Sequence, residues 1–208
     1  MNRRQILIFA SGIVACVVVA WALVAVVKER RPTRTSPGGA VLITAAADIG
    51  GPFTLTDHTG KTVSDKDFRG RNMLIYFGYT FCPDVCPTEL QTVAQAMEIL
   101  GEKGKGVVPV FITVDPARDT VAVMKDYVAA FHPRMVGLTG GAEQVKAAAK
   151  EYKVYSRKAP GTKEGAKDYL VDHTSLLYLV GADGKVMALF KGGTRPETLA
   201  KELARLAR

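Results

Sequence analysis

Two apolar runs constrain this chain more than any other feature. Asn72 to Phe77 (NMLIYF) and Val107 to Val114 (VVPVFITV) are nearly continuous in apolar residues, without the polar alternation of a half-wet strand. Such runs fit strands covered on both faces, as in a parallel sheet flanked by helices. Between them Leu90, Val93, Ala94, Met97 and Leu100 recur at helical spacing, which predicts a helix from about Pro87 to Leu100. A strand, a helix and a second strand in that order imply a right-handed parallel crossover.

The flanking signals extend this unit. Phe53 to Thr56 and Thr62 to Val63 enclose Asp57-His58-Thr59-Gly60-Lys61 and predict a hairpin. Helices are expected over Thr120 to Ala130 and Ala142 to Glu151, and strands over Thr174 to Val180 and Lys185 to Phe190, joined by the turn Gly181-Ala182-Asp183-Gly184. A last helix runs from about Pro196 to Leu206, with Thr194 as its expected cap. The order is hairpin, then β-α-β-α, then β-β-α. It resembles the thioredoxin-like α/β arrangement with an added N-terminal β-hairpin, placed here in residues 46–208. In that arrangement chemistry sits where the first core strand enters the first helix.

Ahead of this domain, Ile6 to Val27 is a 22-residue segment without a charge. As a helix it would span roughly 33 Å, enough to cross a hydrocarbon layer of about 30 Å. A secretory signal core would be shorter, about 7–15 residues, so an uncleaved single transmembrane anchor is expected over 6–27. That leaves 1–5 as the cytoplasmic N-terminus and 28–45, which contains PTRTSPGG, as a juxtamembrane linker. Cys16 lies inside the apolar segment and reads as a small membrane-helix residue, because eleven further apolar residues follow where a lipoprotein signal would turn polar. The net charge of +8 is concentrated near this anchor: residues 1–39 hold six Lys/Arg against one acid, and residues 40–208 hold 22 against 19. Cations there suit anionic headgroups. No basic stripe with interleaved aromatics and no zinc-finger spacing points to nucleic acid. The positive-inside rule alone would put the Lys28 side in the cytoplasm, opposite to the orientation adopted below.

Two of the three cysteines, Cys82 and Cys86, follow the first core strand in Gly78-Tyr79-Thr80-Phe81-Cys82-Pro83-Asp84-Val85-Cys86-Pro87. On a regular helix their spacing would separate the Cβ atoms by about 5–6 Å, more than the ~3.8 Å of a disulfide. Pro87 suits the first helical turn and makes Cys86 a candidate N-cap, which leaves Cys82 in the loop and free to approach it. Both sulfurs would then feel the positive helix end, which lowers thiol pKa. Dithiol, redox-active disulfide and thiolate metal clamp all remain open on this spacing. A purely structural bridge would close a very small loop and add little.

Three histidines could add a ligand. His58, in the hairpin turn, is expected to face solvent, and His132, between Phe131 and Pro133, is expected in a loop or at a helix end. His173 lies at the entry to a core strand that would face the cysteine loop, where thiol-disulfide enzymes of this fold carry a cis-proline. No proline occurs here between Pro160 and Pro196. Two thiolates and an imidazole suit Cu(I) and can hold Cu(II). Zinc is the competitor, but it usually takes a fourth ligand, and no fourth Cys or His stands out.

Three motifs in order, Cys82-Pro83-Asp84-Val85-Cys86-Pro87, Asp115-Pro116-Ala117-Arg118-Asp119-Thr120 and Asp172-His173 before a strand, resemble the Sco/SenC family over about residues 46–206. The resemblance implies a membrane-anchored copper metallochaperone, not an enzyme, that binds Cu(I) and Cu(II) through Cys82, Cys86 and His173. Its implied partner is the CuA domain of cytochrome c oxidase subunit II, together with another periplasmic copper chaperone or a thiol reductant. A thiol-disulfide reductase that keeps the CuA cysteines reduced, or a redox or copper sensor, is the alternative. It further implies a bacterial inner-membrane protein with its domain in the periplasm; only five residues precede the apolar segment, too few for a mitochondrial presequence. Asp84, Asp115, Arg118, Asp119 and Asp172 are candidates for contacts around the site or with a partner. Of these, Asp119 or Thr120 can cap the next helix, Arg118 can pair with a carboxylate, and Asp172 can orient His173.

Overall fold

Every residue of Asn72–Gly78 (β4) and of Val107–Thr113 (β5) is buried, as continuous apolar runs require, and the two strands pair in parallel from Asn72↔Val107 to Gly78↔Thr113. The computed structural model describes residues 41–42, 48–160 and 168–207. The expected N-terminus (1–5), anchor (6–27) and most of the linker (28–45), with Cys16, lie outside the described residues. Among the described residues no helix is long and apolar enough to cross a membrane.

Helix α1 (Val85–Leu100) connects β4 to β5. The chain continues through α2 (Val121–Ala129), β6 (Val136–Thr139) and α3 (Ala142–Glu151). After a ribbon formed by β7 (Ser156–Lys158) and β8 (Val171–His173) come β9 (Leu176–Val180), β10 (Val186–Lys191) and α4 (Pro196–Leu206). The expected hairpin is β2 (Thr54–Asp57) and β3 (Thr62–Ser64), and it joins the main sheet through β2 against β6. With β1 (Val41–Leu42) at one edge, the sheet order is β1-β10-β9-β4-β5-β6-β2-β3, with β4, β5 and β6 parallel and β9 antiparallel to β4. The α/β order expected from the sequence is therefore present.

Alternation along the central strands builds two cores. Leu74, Tyr76, Phe111, Leu177 and Leu179 pack with α1, α2 and α4 on one face. Met73, Ile75, Phe77, Ile112, Tyr178 and Val180 pack with α3 and the hairpin on the other. This is the period-2 geometry of a strand applied between two helix layers. Cys86 belongs to the first core and Cys82 packs against it.

The structure adds elements the sequence reading lacked and moves several boundaries. Val41–Leu42 (β1), expected within the linker, pairs antiparallel with β10 at the sheet edge. Strand β6 was not expected, nor was the β7–β8 ribbon, whose first strand is exposed at all three residues. Helix α1 begins two residues early: Asp84, not Cys86, is the N-cap, and its carboxylate makes no capping hydrogen bond. Arg195, not Thr194, occupies the N-cap of α4; the Thr194 hydroxyl donates instead to the Lys191 carbonyl at 2.6 Å. Thr120 caps α2 as expected, accepting from the Val123 amide at 3.4 Å.

Candidate metal centre

Helix termini leave amide donors without intrahelical partners, and α1 meets this need with sulfur. The Cys86 amide, in the first turn, donates to Cys82 Sγ at 3.4 Å. Cys82 thereby takes the capping role that the Asp84 side chain leaves vacant, while the Asp84 carbonyl accepts from the Thr88 amide at 3.3 Å and its hydroxyl at 2.9 Å. The loop between β4 and α1 is pinned from below. Asp119, fully buried, accepts from the Thr80 amide at 3.1 Å, the Thr80 hydroxyl at 2.6 Å and the Thr113 hydroxyl at 2.5 Å.

His173 arrives from the other side, on the ribbon rather than on the main sheet: β8 pairs with β7 through Ser156↔His173. Its Nδ1 lies 3.1 Å from the Thr174 carbonyl, an acceptor only, so Nδ1–H donates and the Nε2 lone pair is left free. Nε2 faces Cys86 Sγ at 3.3 Å. Tyr79 and Tyr76 stand edge-on to the imidazole, with ring centroids 5.8 and 6.1 Å away. The Tyr79 hydroxyl accepts from the Val171 amide at 3.2 Å, which ties the ribbon to the cysteine loop.

The two thiols differ in environment. Burial pushes the Cys82 thiol up, but hydrogen bonds from the Asp84 and Cys86 amides, the Cys86 thiol and Tyr79 outweigh it and hold Cys82 below the usual thiol range. Cys86 is fully buried, and burial with the neighbouring Cys82 sulfur pushes it well up despite hydrogen bonding from the Tyr79 amide and Tyr76. Burial also lowers His173, opposed by the Thr174 carbonyl and Asp172, and so favours the neutral imidazole that a metal requires.

Cys82, Cys86 and His173 are thus brought together, with one donor atom from each lying within 4.8 Å of the other two. Donors sharing one ion through bonds of about 2.0–2.3 Å lie at most ~4.6 Å apart, so a small closure suffices. No other His, Cys, Asp or Glu among the described residues joins this group. Two thiolates and a neutral imidazole make a soft set suited to Cu(I) and able to hold Cu(II). The free sulfurs can also exchange electrons as a pair.

The remaining candidates lie around this centre. Asp115 and Arg118 are joined, Arg118 Nε to Asp115 Oδ2 at 2.5 Å, and Arg118 also reaches the Tyr169 carbonyl. Asp172 is exposed and pairs with Arg157 at 3.7 Å; the hydrogen bond that orients His173 comes from Thr174 instead. His58 does not simply face solvent, since its Nδ1 accepts from the Gly137 amide at 3.1 Å. His132 Nδ1 accepts from the Arg134 amide at 3.1 Å. Neither is near the cysteines in the donor group.

Sequence reasoning passed over Tyr79, Thr80 and Tyr169, aromatic and hydroxyl groups whose roles depend on long-range contacts. It also passed over Glu89, which is 3% exposed and accepts from the Gly193 amide at 2.5 Å. That residue carried a signal: an acid three positions after Cys86, on the apolar stripe of Leu90 and Val93.

The SCO1/SenC family model matches residues 43–208. Protein SCO1 homolog, mitochondrial, of Homo sapiens is 44% identical over 158 residues, 75% of this chain and 52% of that protein, so this chain spans about half the length of such curated relatives. The structure of Bradyrhizobium japonicum ScoI with copper bound superposes with a TM-score of 0.69 at 45% identity, covering 76% of this chain and 98% of that one. BsSco, described as having a disulfide switch and as a member of the Sco family of cytochrome c oxidase assembly proteins, superposes with a TM-score of 0.61 at 25% identity over 80% of this chain and 99% of that one. With the family match covering the whole described domain, and the thioredoxin-like α/β fold shared with these structures, the chain belongs to the SCO1/SenC family.

Proposed function

We propose that this protein binds Cu(I) and Cu(II) through Cys82, Cys86 and His173 and passes copper to the CuA site of cytochrome c oxidase subunit II. The observation that carries the reading is the convergence of two thiol sulfurs and one free imidazole nitrogen within 4.8 Å, from two separate parts of the fold. The copper in the Bradyrhizobium japonicum structure and the oxidase-assembly role named for BsSco support it. The uncharged run Ile6 to Val27 supports a single-pass anchor in a bacterial inner membrane, with the domain in the periplasm. Another copper chaperone supplying the metal, or a thiol reductant, completes the expected partners.

Titration of the full-length chain with Cu(I) and Cu(II) tests the ligand set. Wild type should take up one copper and show a thiolate-to-Cu(II) charge-transfer band, and His173→Ala should lose that band and bind more weakly. Unchanged affinity in His173→Ala refutes the reading.

A second reading has its own support. Cys82 Sγ lies 3.4 Å from the Cys86 amide, and the Cys82 thiol is held below its usual range, a poise suited to a disulfide switch or a thiol-disulfide reductase. Turnover of a disulfide substrate that survives His173→Ala but not Cys82→Ser distinguishes it.

A further inference from the structure

The cysteines and the histidine sit on different segments, so something must hold those segments in register. Asp115 lies in the loop between β5 and α2. Its Oδ2 accepts from Arg118 Nε at 2.5 Å, and its Oδ1 accepts from the Tyr169 hydroxyl at 2.8 Å. Arg118 Nη1 donates to the Tyr169 carbonyl at 2.9 Å. The guanidinium carbon stands 3.6 Å from the Tyr169 ring centroid and 4.7 Å from that of Phe81, with Tyr79 at 5.6 Å. Phe81 immediately precedes Cys82, and Tyr169 precedes His173 by four residues. The side chains of Arg118 and Asp115 are only 13% and 7% exposed, so the pair is fixed rather than waving in solvent.

The geometry points to Arg118 as the positioning residue of this centre: it clamps the Cys82 loop, through Phe81, to the segment that carries His173, through Tyr169. The inference rests on the Cys82, Cys86 and His173 ligand set proposed above. It requires a flat cation. Only a guanidinium can stack on an aromatic face while its in-plane donors reach a carboxylate and a carbonyl; a lysine ammonium keeps the charge and loses the stack and the fork. Its effect on metal is transmitted through the Phe81 and Tyr169 rings on which the guanidinium stacks.

The test is Arg118→Lys in the full-length chain, with two readouts. In the metal-free protein, amide hydrogen exchange should speed up about tenfold or more across residues 168–174 while β4 and β5 exchange as in wild type. Copper affinity should fall about 10–100-fold, as for loss of other groups that orient ligands. The double variant Arg118→Lys/His173→Ala should bind no more weakly than His173→Ala alone, because without His173 there is no ligand left for Arg118 to place. Tyr169→Leu, which removes the stacking face together with the hydroxyl that Asp115 accepts from, should reproduce the effect even if Arg118→Lys folds poorly. Wild-type exchange and affinity in Arg118→Lys or Tyr169→Leu, with His173→Ala weakened, overturn this inference alone. Additive losses in the double variant overturn it too. If His173→Ala changes nothing, the ligand reading falls and this inference falls with it.

Discussion

Gly78 closes β4 directly beneath the cysteine helix, and one methyl group there should displace a ligand. A Cβ built on Gly78 would lie 2.8 Å from Cys86 Sγ, 2.9 Å from Phe111 Cε2 and 3.1 Å from Tyr76 Cε1. Nonbonded heavy atoms rest at about 3.5–4.0 Å, so the sulfur must retreat by about 0.7 Å or more. It has nowhere to go: Cys86 and Phe111 are fully buried, and His173 Nε2 already stands 3.3 Å from the sulfur. Overpacking of this kind costs about 1–3 kcal/mol. Alanine recovers about 0.5–1 kcal/mol of it by restricting the unfolded chain. The net loss should be up to about 2.5 kcal/mol, which for a domain of this size lowers Tm by up to about 10 °C.

The metal should suffer more than the fold. Ligand distances tolerate only about 0.2 Å, so a displaced Cys86 should weaken Cu(I) binding by roughly tenfold or more. Urea unfolding and Cu(I) competition with a chromophoric chelator measure the two effects. Gly106→Ala is the control, since nothing lies within 4 Å of a Cβ there and its φ is not positive. A Gly78→Ala protein that unfolds with Gly106→Ala and binds copper like wild type would refute the reasoning.

Two further perturbations probe the groups that support the site. Burial raises Glu89, only partly offset by the Gly193 amide, so the folded state holds that proton more tightly than the unfolded chain. Its stabilising contribution is complete below the unfolded carboxylate value of about 4.3 and is lost as pH rises through the higher folded value. Wild-type stability relative to Glu89→Gln, from urea unfolding over a pH series, should therefore fall across that window; a difference that grows with pH would contradict it. Asp119→Ala strands three donors, from Thr80 and Thr113, that the carboxylate now satisfies. Buried donors left unpaired cost about 1–3 kcal/mol each, less than additively, so a loss of about 2–4 kcal/mol is expected in denaturant unfolding. A loss under about 1 kcal/mol would show that these bonds are dispensable.

The parts of this structure that rest on local periodicity were legible in the sequence. Strands β4 and β5 showed themselves because residues buried on both faces must be apolar in succession, and the body of α1 because Leu90, Val93, Ala94, Met97 and Leu100 recur at helical spacing. Strand β7 was invisible because Ser156, Arg157 and Lys158 are all exposed, so nothing in their side chains marks a strand. The ribbon exists through backbone pairing with β8. At the site, residue types and order singled out Cys82, Cys86 and His173, which the fold does bring together. Which atom of His173 faces the sulfurs, and that Thr174 rather than Asp172 orients the ring, depend on a local carbonyl that every residue possesses. The start of α1 was misplaced for a related reason: a cysteine sulfur fills the capping role normally read from Ser, Thr, Asp or Asn.

The unequal burial of the two thiols gives the pair a direction. Cys86 is shut inside the core beneath its own helix, whereas Cys82 lines the mouth with Pro83 and Val85. A sulfur, oxidant or competing ligand arriving from solvent therefore meets Cys82 first, and any mixed disulfide forms there. Cys86 is left to act only within the molecule. Under the thiol-disulfide reading proposed above, a partner thiol would enter and leave by Cys82 alone, and exchange would run through a single open face.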